Sequence, residues 1–343
     1  IRIRIFSTPS NFSMSKHYEW ILNKAKGKWI FILGDDDAIS KNFFSTIDDY
    51  LEKCSDKNIE AISVNRANYY WNGVQNIYGP AAIRYMQSNK YKIINSKINL
   101  FKVLLGIMPY SKLPGLYVSG LVNRNLIERI KKLKKNNKFF NEPNPDVYSA
   151  LIVSSYIKKY LRIEKPLFWV GTSTKSVAYK LIMKKKKNFD IKYNDFLKAS
   201  EKDGFYLSKK ISRYFWHSRL PSAFLFSSFF NIPKNKKKNY FFDLLSLGMI
   251  GSDILDKKNL KNYEEKKFIK KKFNEKIKKS NYPFFTISIL SLILFFLKKK
   301  ISFFEKNCFR ISNYFDFFLK KKKYIYSTNR KRYKNIHIAS KLY

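Results

Sequence analysis

The chain has 343 residues, with 69 Lys and Arg against 25 Asp and Glu and a formal net charge of +44. A hydrophobic share of 45% and an aromatic share of 17% exclude a disordered polycation, and the length suits one large domain or two smaller ones. Two cysteines, Cys54 and Cys308, exclude a disulfide framework and a cysteine zinc site and point to a reducing compartment. The chain opens at Ile1 with no signal-peptide pattern behind it, so the N-terminus of a longer protein is expected to be missing.

The charge is mostly lysine: 12 Arg leave 57 Lys. A chain that reads bases or clamps phosphates in two-pronged fashion would use more Arg, and the abundance of Lys, Asn, Ile, Phe and Tyr is what A/T-rich coding produces. Residues 1–180 carry 29 basic and 13 acidic residues (+16), and residues 181–343 carry 40 and 12 (+28). The excess sits in runs such as Lys184 to Lys187 and Lys320 to Lys323. Their functional meaning would be attraction to an anionic surface, about 1 kcal/mol for each Lys or Arg close to acidic lipid.

In chain order, Ile1 to Phe6 alternates apolar and basic residues as a half-exposed strand does. Ser13 or Ser15 can cap a helix that carries Tyr18, Ile21, Leu22 and Ala25 on one face and ends at Gly27. Trp29 to Leu33 is a continuous apolar run suited to a strand buried on both faces. It stops at Gly34 and delivers Asp35, Asp36 and Asp37, after which Ser40 is placed to cap an amphipathic helix through Phe43, Ile47, Tyr50 and Cys54. Ala61 to Val64 reads as the next strand, and residues 68–118 as long loops with one apolar helix near Leu100 to Ile107. Helices are expected over Leu121 to Lys135 and Asp146 to Leu161, with a strand over Ile163 to Val170. Strand and helix alternate, so the fold class is α/β.

After about residue 180 the pattern changes to Lys-rich helices with aromatic faces. Pro283 to Leu297 is 15 residues without a charge, short of the roughly 20 that a membrane-crossing helix needs. Ile301 to Leu319 mixes Phe303, Phe304, Phe309 and Phe318 with charged residues, as an interfacial helix does. A membrane-associated tail that lies on or enters the bilayer is the expectation, with a buried hairpin as the alternative.

The acidic triplet is the most informative feature of so basic a chain. Three adjacent carboxylates at the mouth of a buried strand repel one another unless a cation or hydrogen-bond donors compensate. Mg²⁺ or Mn²⁺ does so with one or two carboxylates plus phosphate oxygens. Ligands of open α/β sheets also bind outside the carboxyl ends of the strands. A structural alternative is an acidic start for the following helix.

Lys26-Gly27-Lys28-Trp29-Ile30-Phe31-Ile32-Leu33-Gly34-Asp35-Asp36-Asp37-Ala38-Ile39-Ser40 resembles the core of family 2 glycosyltransferases of the GT-A fold. In that family an Ala-x-Gly-x stretch, an apolar run and paired acids end in a DXD-type motif that binds a divalent cation and the diphosphate of a nucleotide sugar. Asn11 to Ser15 and the helix through Ala25 resemble the helix preceding that strand. The likeness covers residues 1–66 well and 115–177 loosely. It implies a GT-A, Rossmann-like mixed sheet flanked by helices and a Mn²⁺ or Mg²⁺ ion, with Asp35 and Asp37 as the acids of the motif and Asp36 or Asp37 touching the metal. Where the family has Pro four residues after the last Asp, this chain has Lys41. The first βαβ portion, which holds base and ribose in the family, has no counterpart here.

The resemblance further implies a general base roughly a hundred residues on, near a helix start. Glu142-Pro143-Asn144-Pro145-Asp146 is the acid-bearing junction there, with Asp146 as the base and Glu142 as runner-up, or Asp146 as a helix cap. Tyr117 to Gly120 corresponds to a small-residue strand lining the acceptor cleft, with Ser119 and Gly120 as acceptor-binding residues. Gly171 to Ser176 is a plain turn or a phosphate contact through backbone N–H groups. His17, His217 and His337 lie far apart without ligand spacing, and no Walker loop, GxGxxG or Ser-His-Asp elbow is present.

The expected organisation is therefore a GT-A domain over 1–180, a Lys-rich helical region over 181–280 and a membrane-associated tail over 281–343. The expected activity is metal-dependent, inverting transfer of a sugar from a nucleoside-diphosphate donor to a glycan or lipid-linked glycan in cell-surface polysaccharide synthesis. The expected location is the cytoplasmic, inner face of the cell membrane, against an anionic lipid surface and without a nucleic-acid partner. The alternatives are a basic nucleic-acid-binding protein with a structural acidic triplet, and an inactive transferase remnant.

Overall fold

The computed structural model describes residues 3–71, 73–74, 84–86, 88–117, 120–174, 176, 189–218, 220–235, 239–256, 260, 263–300 and 324–326. The chain is a mixed α/β protein and forms two compact units that interleave along it. A helical unit takes Ile1–Gly27, Ile127–Tyr148 and Asn188–Phe295, and a sheet unit takes Lys28–Leu126, Ser149–Lys187 and Phe296–Tyr343. The boundaries expected at 180 and 280 are consecutive, whereas each of these units is assembled from separate stretches.

The sheet unit is built on two long strands, β3 (Ala61–Tyr70) and β7 (Lys159–Thr172), which pair in parallel with a register shift around Asn65. Both are buried over their first halves, as a parallel strand covered on two faces must be. On the other side of β3, β6 (Gly120–Asn123) and then β1 (Trp29–Ile30) add antiparallel. β2 (Ala38–Ile39) and β5 (Tyr91–Asn95) pair antiparallel with different parts of β7. β4 (Arg84–Met86) and β8 (Tyr324–Tyr326) complete a mixed, eight-stranded sheet.

The helix α2 (Phe43–Glu52) buries Phe43, Ile47 and Tyr50 against Ile62, Val64, Leu161, Ile163 and Phe168 of the sheet. The rings of Phe31, Phe43 and Phe168 meet at 5.0–5.5 Å between centroids. Its N-cap is Asn42, not Ser40. The Ser40 hydroxyl instead donates to the carbonyls of Pro166 and Leu167 on β7 and ties the start of α2 to the sheet. Two further helices in this part of the chain are α3 (Ser96–Leu104) and α4 (Arg124–Lys132). The helix expected from Leu121 thus starts three residues later. Gly120 to Asn123 lie between β1 and β3, and pairing with both overrides their local preference.

The helix α5 (Pro145–Tyr156) starts one residue before the expected Asp146, with Pro at its first position, and ends five residues before Leu161, which already pairs in β7. The run Trp29 to Leu33 contributes only β1 and a single parallel bridge from Ile32 to Tyr117. Residues 3–6 are irregular rather than a strand, and among the described residues no strand pairs with them. An alternating pattern needs a neighbouring strand to become β-structure.

In the helical unit, α1 (Met14–Lys24) is capped by Ser13, whose hydroxyl accepts the Lys16 N–H. Asp203 accepts the Ser13 N–H at 2.7 Å and the Lys16 ammonium at 2.9 Å, which fixes the entry to the helix. Its C-cap is Ala25, two residues before the expected Gly27. Ser13→Ala is expected to cost about 1 kcal/mol, the usual worth of an N-cap hydroxyl. Thermal melting would show this as a drop of a few degrees, and an unchanged midpoint would mean that Asp203 alone holds the helix start.

The remaining helices are α6 (Phe189–Lys202), α7 (Arg213–His217), α8 (Pro221–Phe230), α9 (Tyr240–Leu255), α10 (Tyr263–Lys278) and α11 over residues 284–300. α8 and α9 are apolar and buried on nearly every side, so they form the centre of this unit. Asp253 of α9 accepts the Ser222 N–H at the start of α8. Among the described residues no helix is long and apolar enough to cross a membrane. The interfacial helix expected over Ile301 to Leu319 lies outside the described residues.

Candidate functional site

The acidic triplet forms a tight turn between the Ile32 bridge and β2. The Asp37 N–H donates to the Gly34 carbonyl at 3.3 Å, and the Gly34 N–H donates back to Asp37 Oδ2 at 3.0 Å. Asp37 Oδ1 accepts the Gly171 N–H at 2.9 Å, and the Tyr117 hydroxyl also bonds to this carboxylate. Asp37 is buried, and that burial raises its pKa above the usual carboxylate value. The two backbone N–H bonds and the phenol act in the opposite direction and lose. With both oxygens committed to the chain, Asp37 is the pin of the turn.

Asp36 is half-buried and faces the end of β7. Its Oδ2 accepts the hydroxyls of Ser176 at 2.7 Å and Ser173 at 3.3 Å, and its carbonyl accepts the Trp71 indole N–H at 3.3 Å. The Ser176 hydroxyl is itself oriented by the Ser173 N–H at 2.7 Å. Asp35 is exposed at the tip of the turn. The three carboxylates thus have three environments: Asp37 turned inward, Asp36 half-held by two serines, and Asp35 in solvent.

Gly171 is what lets the triplet lie so close to β7. A Cβ there would overlap the carbonyl oxygen of Asp36, so only glycine fits. The segment from Gly171 to Ser176, noticed in the sequence as a turn or phosphate contact, is therefore the wall of the turn. Trp71 was not foreseen, and no pattern in the sequence pairs it with residues thirty-five positions away. Gly120 is buried in β6, where a Cβ would run into the carbonyl of Ile62; Ser119 lies outside the described residues.

The two candidates for the base belong to the helical unit. Asp146 is half-buried in the first turn of α5, where its charge suits the helix start. Glu142 is fully buried, and burial pushes its pKa up to about 8. Its Oε2 accepts the Asn144 N–H at 2.7 Å, while Oε1 has no hydrogen-bond partner. The hydroxyls of Ser227 and Ser228 approach the carboxyl and pull its pKa down, without closing a bond onto Oε1. The Ser15 hydroxyl donates to the Glu142 carbonyl at 2.6 Å, so α1, the loop before α5, and α8 enclose this group. The Glu142 carboxyl is thus enclosed, and Asp146 is the more exposed acid of the pair.

Among the described residues no group of three or more His, Cys, Asp or Glu side chains is arranged to hold a metal. The two acids of the turn that are not buried, exposed Asp35 and half-buried Asp36, would offer a metal only carboxylate oxygens. That number and type suit Mg²⁺ or Mn²⁺ completed by phosphate oxygens. No family model and no curated protein matches the chain.

Proposed function

We propose that the chain is a GT-A-type glycosyltransferase that moves a sugar from a nucleoside-diphosphate donor to a glycan or lipid-linked glycan. The observation that carries this is the division of labour in the triplet. Asp37 spends its charge on the backbone of the turn, and this holds Asp36 and Asp35 at the end of a mixed sheet with carboxylate oxygens to spare. Asp36 and Asp35 would hold Mn²⁺ or Mg²⁺, which supplies charge neutralisation to the departing diphosphate. The Ser173 and Ser176 hydroxyls fix the rotamer of Asp36, as groups behind a metal ligand do. Asp146 takes the acceptor proton on the strength of the sequence resemblance.

Titrating UDP into the intact chain with and without Mn²⁺ tests the site. Binding should require Mn²⁺ and weaken by at least about tenfold in Asp36→Asn, which keeps the serine contacts but removes the charge. Asp146→Asn should leave that binding intact and slow the transfer. The proposal goes if no nucleoside diphosphate binds with Mn²⁺, or if Asp36→Asn binds as well as the parent chain.

A further inference from the structure

The inward face of α11 is fully accounted for. Ile287, Ser291 and Leu294 are buried, with Leu290 and Leu294 seated on Gly248 of α9 and Ser291 on Gly251. Glycine at those two positions lets the helices close, because a Cβ at either would meet these side chains. The outward face is also apolar. Phe284, Phe285, Ile289, Leu292 and Ile293 all face solvent, Phe285 with 72% of its surface exposed. Their spacing, four and then three or four residues, is that of one helical stripe.

The stripe does not end with the helix. The Tyr282 hydroxyl donates to the Tyr240 carbonyl at 2.6 Å, which brings the start of α11 beside the start of α9. There Tyr240 and Phe241 are exposed at 56% and 55%. Aromatic rings that border an apolar stripe are the residues favoured at the level of lipid headgroups.

The charge around this face is predominantly of one sign. Residues 280–297 carry no charge, and Lys298 to Lys300 follow them. Residues 263–279 hold eight Lys against three Glu, and since Ile269, Phe273 and Ile277 are the buried side of α10, the lysines line its outer sides. Asp243, the acid of α9 nearest the aromatic end, is taken by Lys210 at 2.9 Å. A second copy of the chain on this face would set one lysine-rich flank against another. An anionic surface would neutralise both.

We infer that the outward face of α11, together with Tyr240 and Phe241 of α9, is a docking surface for an anionic lipid bilayer. α11 lies in the headgroup region with its stripe of Phe, Ile and Leu turned toward the acyl chains. At about 25 Å the helix is shorter than the roughly 30 Å hydrocarbon core, and its opposite face is occupied by α9, so it lies on the membrane rather than crossing it. This goes beyond sugar transfer and stands whether or not the triplet binds a donor.

The test is flotation of the full chain with vesicles of phosphatidylcholine alone or mixed with phosphatidylglycerol. The chain should float with the mixed vesicles, at least about tenfold more weakly with phosphatidylcholine alone, and progressively less as salt is raised. Phe285→Ser with Ile293→Ser keeps every charge and should lower the partition at least about tenfold, with an unchanged melting midpoint because both side chains are already exposed. Should that pair misfold, Phe285→Trp serves instead. Its indole emission should shift to the blue on anionic vesicles and be quenched by lipids brominated in the acyl chain. Binding untouched by the serine pair, or an indole of the Phe285→Trp variant that stays unquenched, would overturn the proposal in favour of adsorption through lysines alone. A vesicle-free dimer that the serine pair dissociates, without lipid binding, would overturn it in favour of self-association.

Discussion

Raising the pH from about 5 to 8 is expected to destabilise the helical unit, and Glu142→Gln is expected to remove most of that loss. The buried Glu142 carboxyl holds its proton up to about pH 8, against an ordinary value of 4.5. The folded chain therefore binds one more proton than the unfolded chain anywhere between those two values. Unfolding free energy falls as pH rises through that window, is at its highest below 4.5, and is flat above about 8. The slope is about 1.4 kcal/mol per pH unit, so the whole window amounts to several kcal/mol, roughly 5 at most. That is a large part of what an ordinary domain possesses.

Glutamine keeps an acceptor for the Asn144 N–H and carries no charge at any pH. Melting temperatures from pH 5 to 8.5 should thus slope downward for the parent chain and run nearly level for the variant, with the two curves diverging most at the alkaline end. A level curve for the parent chain, or equal slopes for both, would mean that Glu142 is hydrated and titrates normally. The unpartnered Oε1 is the structural sign that the group is held as the neutral acid.

Nothing around Glu142 in the sequence announces this. The Pro-rich stretch from Glu142 to Pro145 marks a loop and a helix start, and an acid there reads as surface chemistry. What buries it is Ser15 from α1 and Ser227 and Ser228 from α8, residues more than eighty positions away. The same distinction runs through the fold. The helices α1, α2 and α5 and the strands β3 and β7 were legible as elements because each carries its own periodicity, although β3 runs on to Tyr70, six residues past the expected Val64, and α5 stops five residues short of Leu161. β6 was not, because Gly120 to Asn123 become a strand only by lying between two others. In the triplet the turn was legible and the three environments were not. Three aspartates in a row look alike until Gly171, Tyr117 and the two serines single out which one turns inward.

Gly171→Ala should be the most damaging single methyl in the sheet unit, costing about 3–5 kcal/mol and abolishing the proposed Mn²⁺-dependent UDP binding with it. Gly171 does not adopt a left-handed backbone, so the obstacle is space. The new Cβ would overlap the Asp36 carbonyl and press on the Trp71 indole nitrogen at 2.8 Å. Both neighbours resist: one is backbone, and the other is held by its own bond to that carbonyl. Overpacking of this kind costs about 1–3 kcal/mol by itself. Relief requires the triplet turn to slide off β7, which breaks the Gly171 N–H bond to a buried carboxylate and adds about 1.5–3 kcal/mol. Sliding also separates Asp36 from Ser173 and Ser176, so any ligand geometry at Asp36 is lost with the stability. Denaturant unfolding and UDP titration on the same variant separate the outcomes. A large loss of stability with binding retained would detach the binding site from the turn, and an unchanged unfolding midpoint would show that the turn yields without cost and that its contact with β7 contributes nothing.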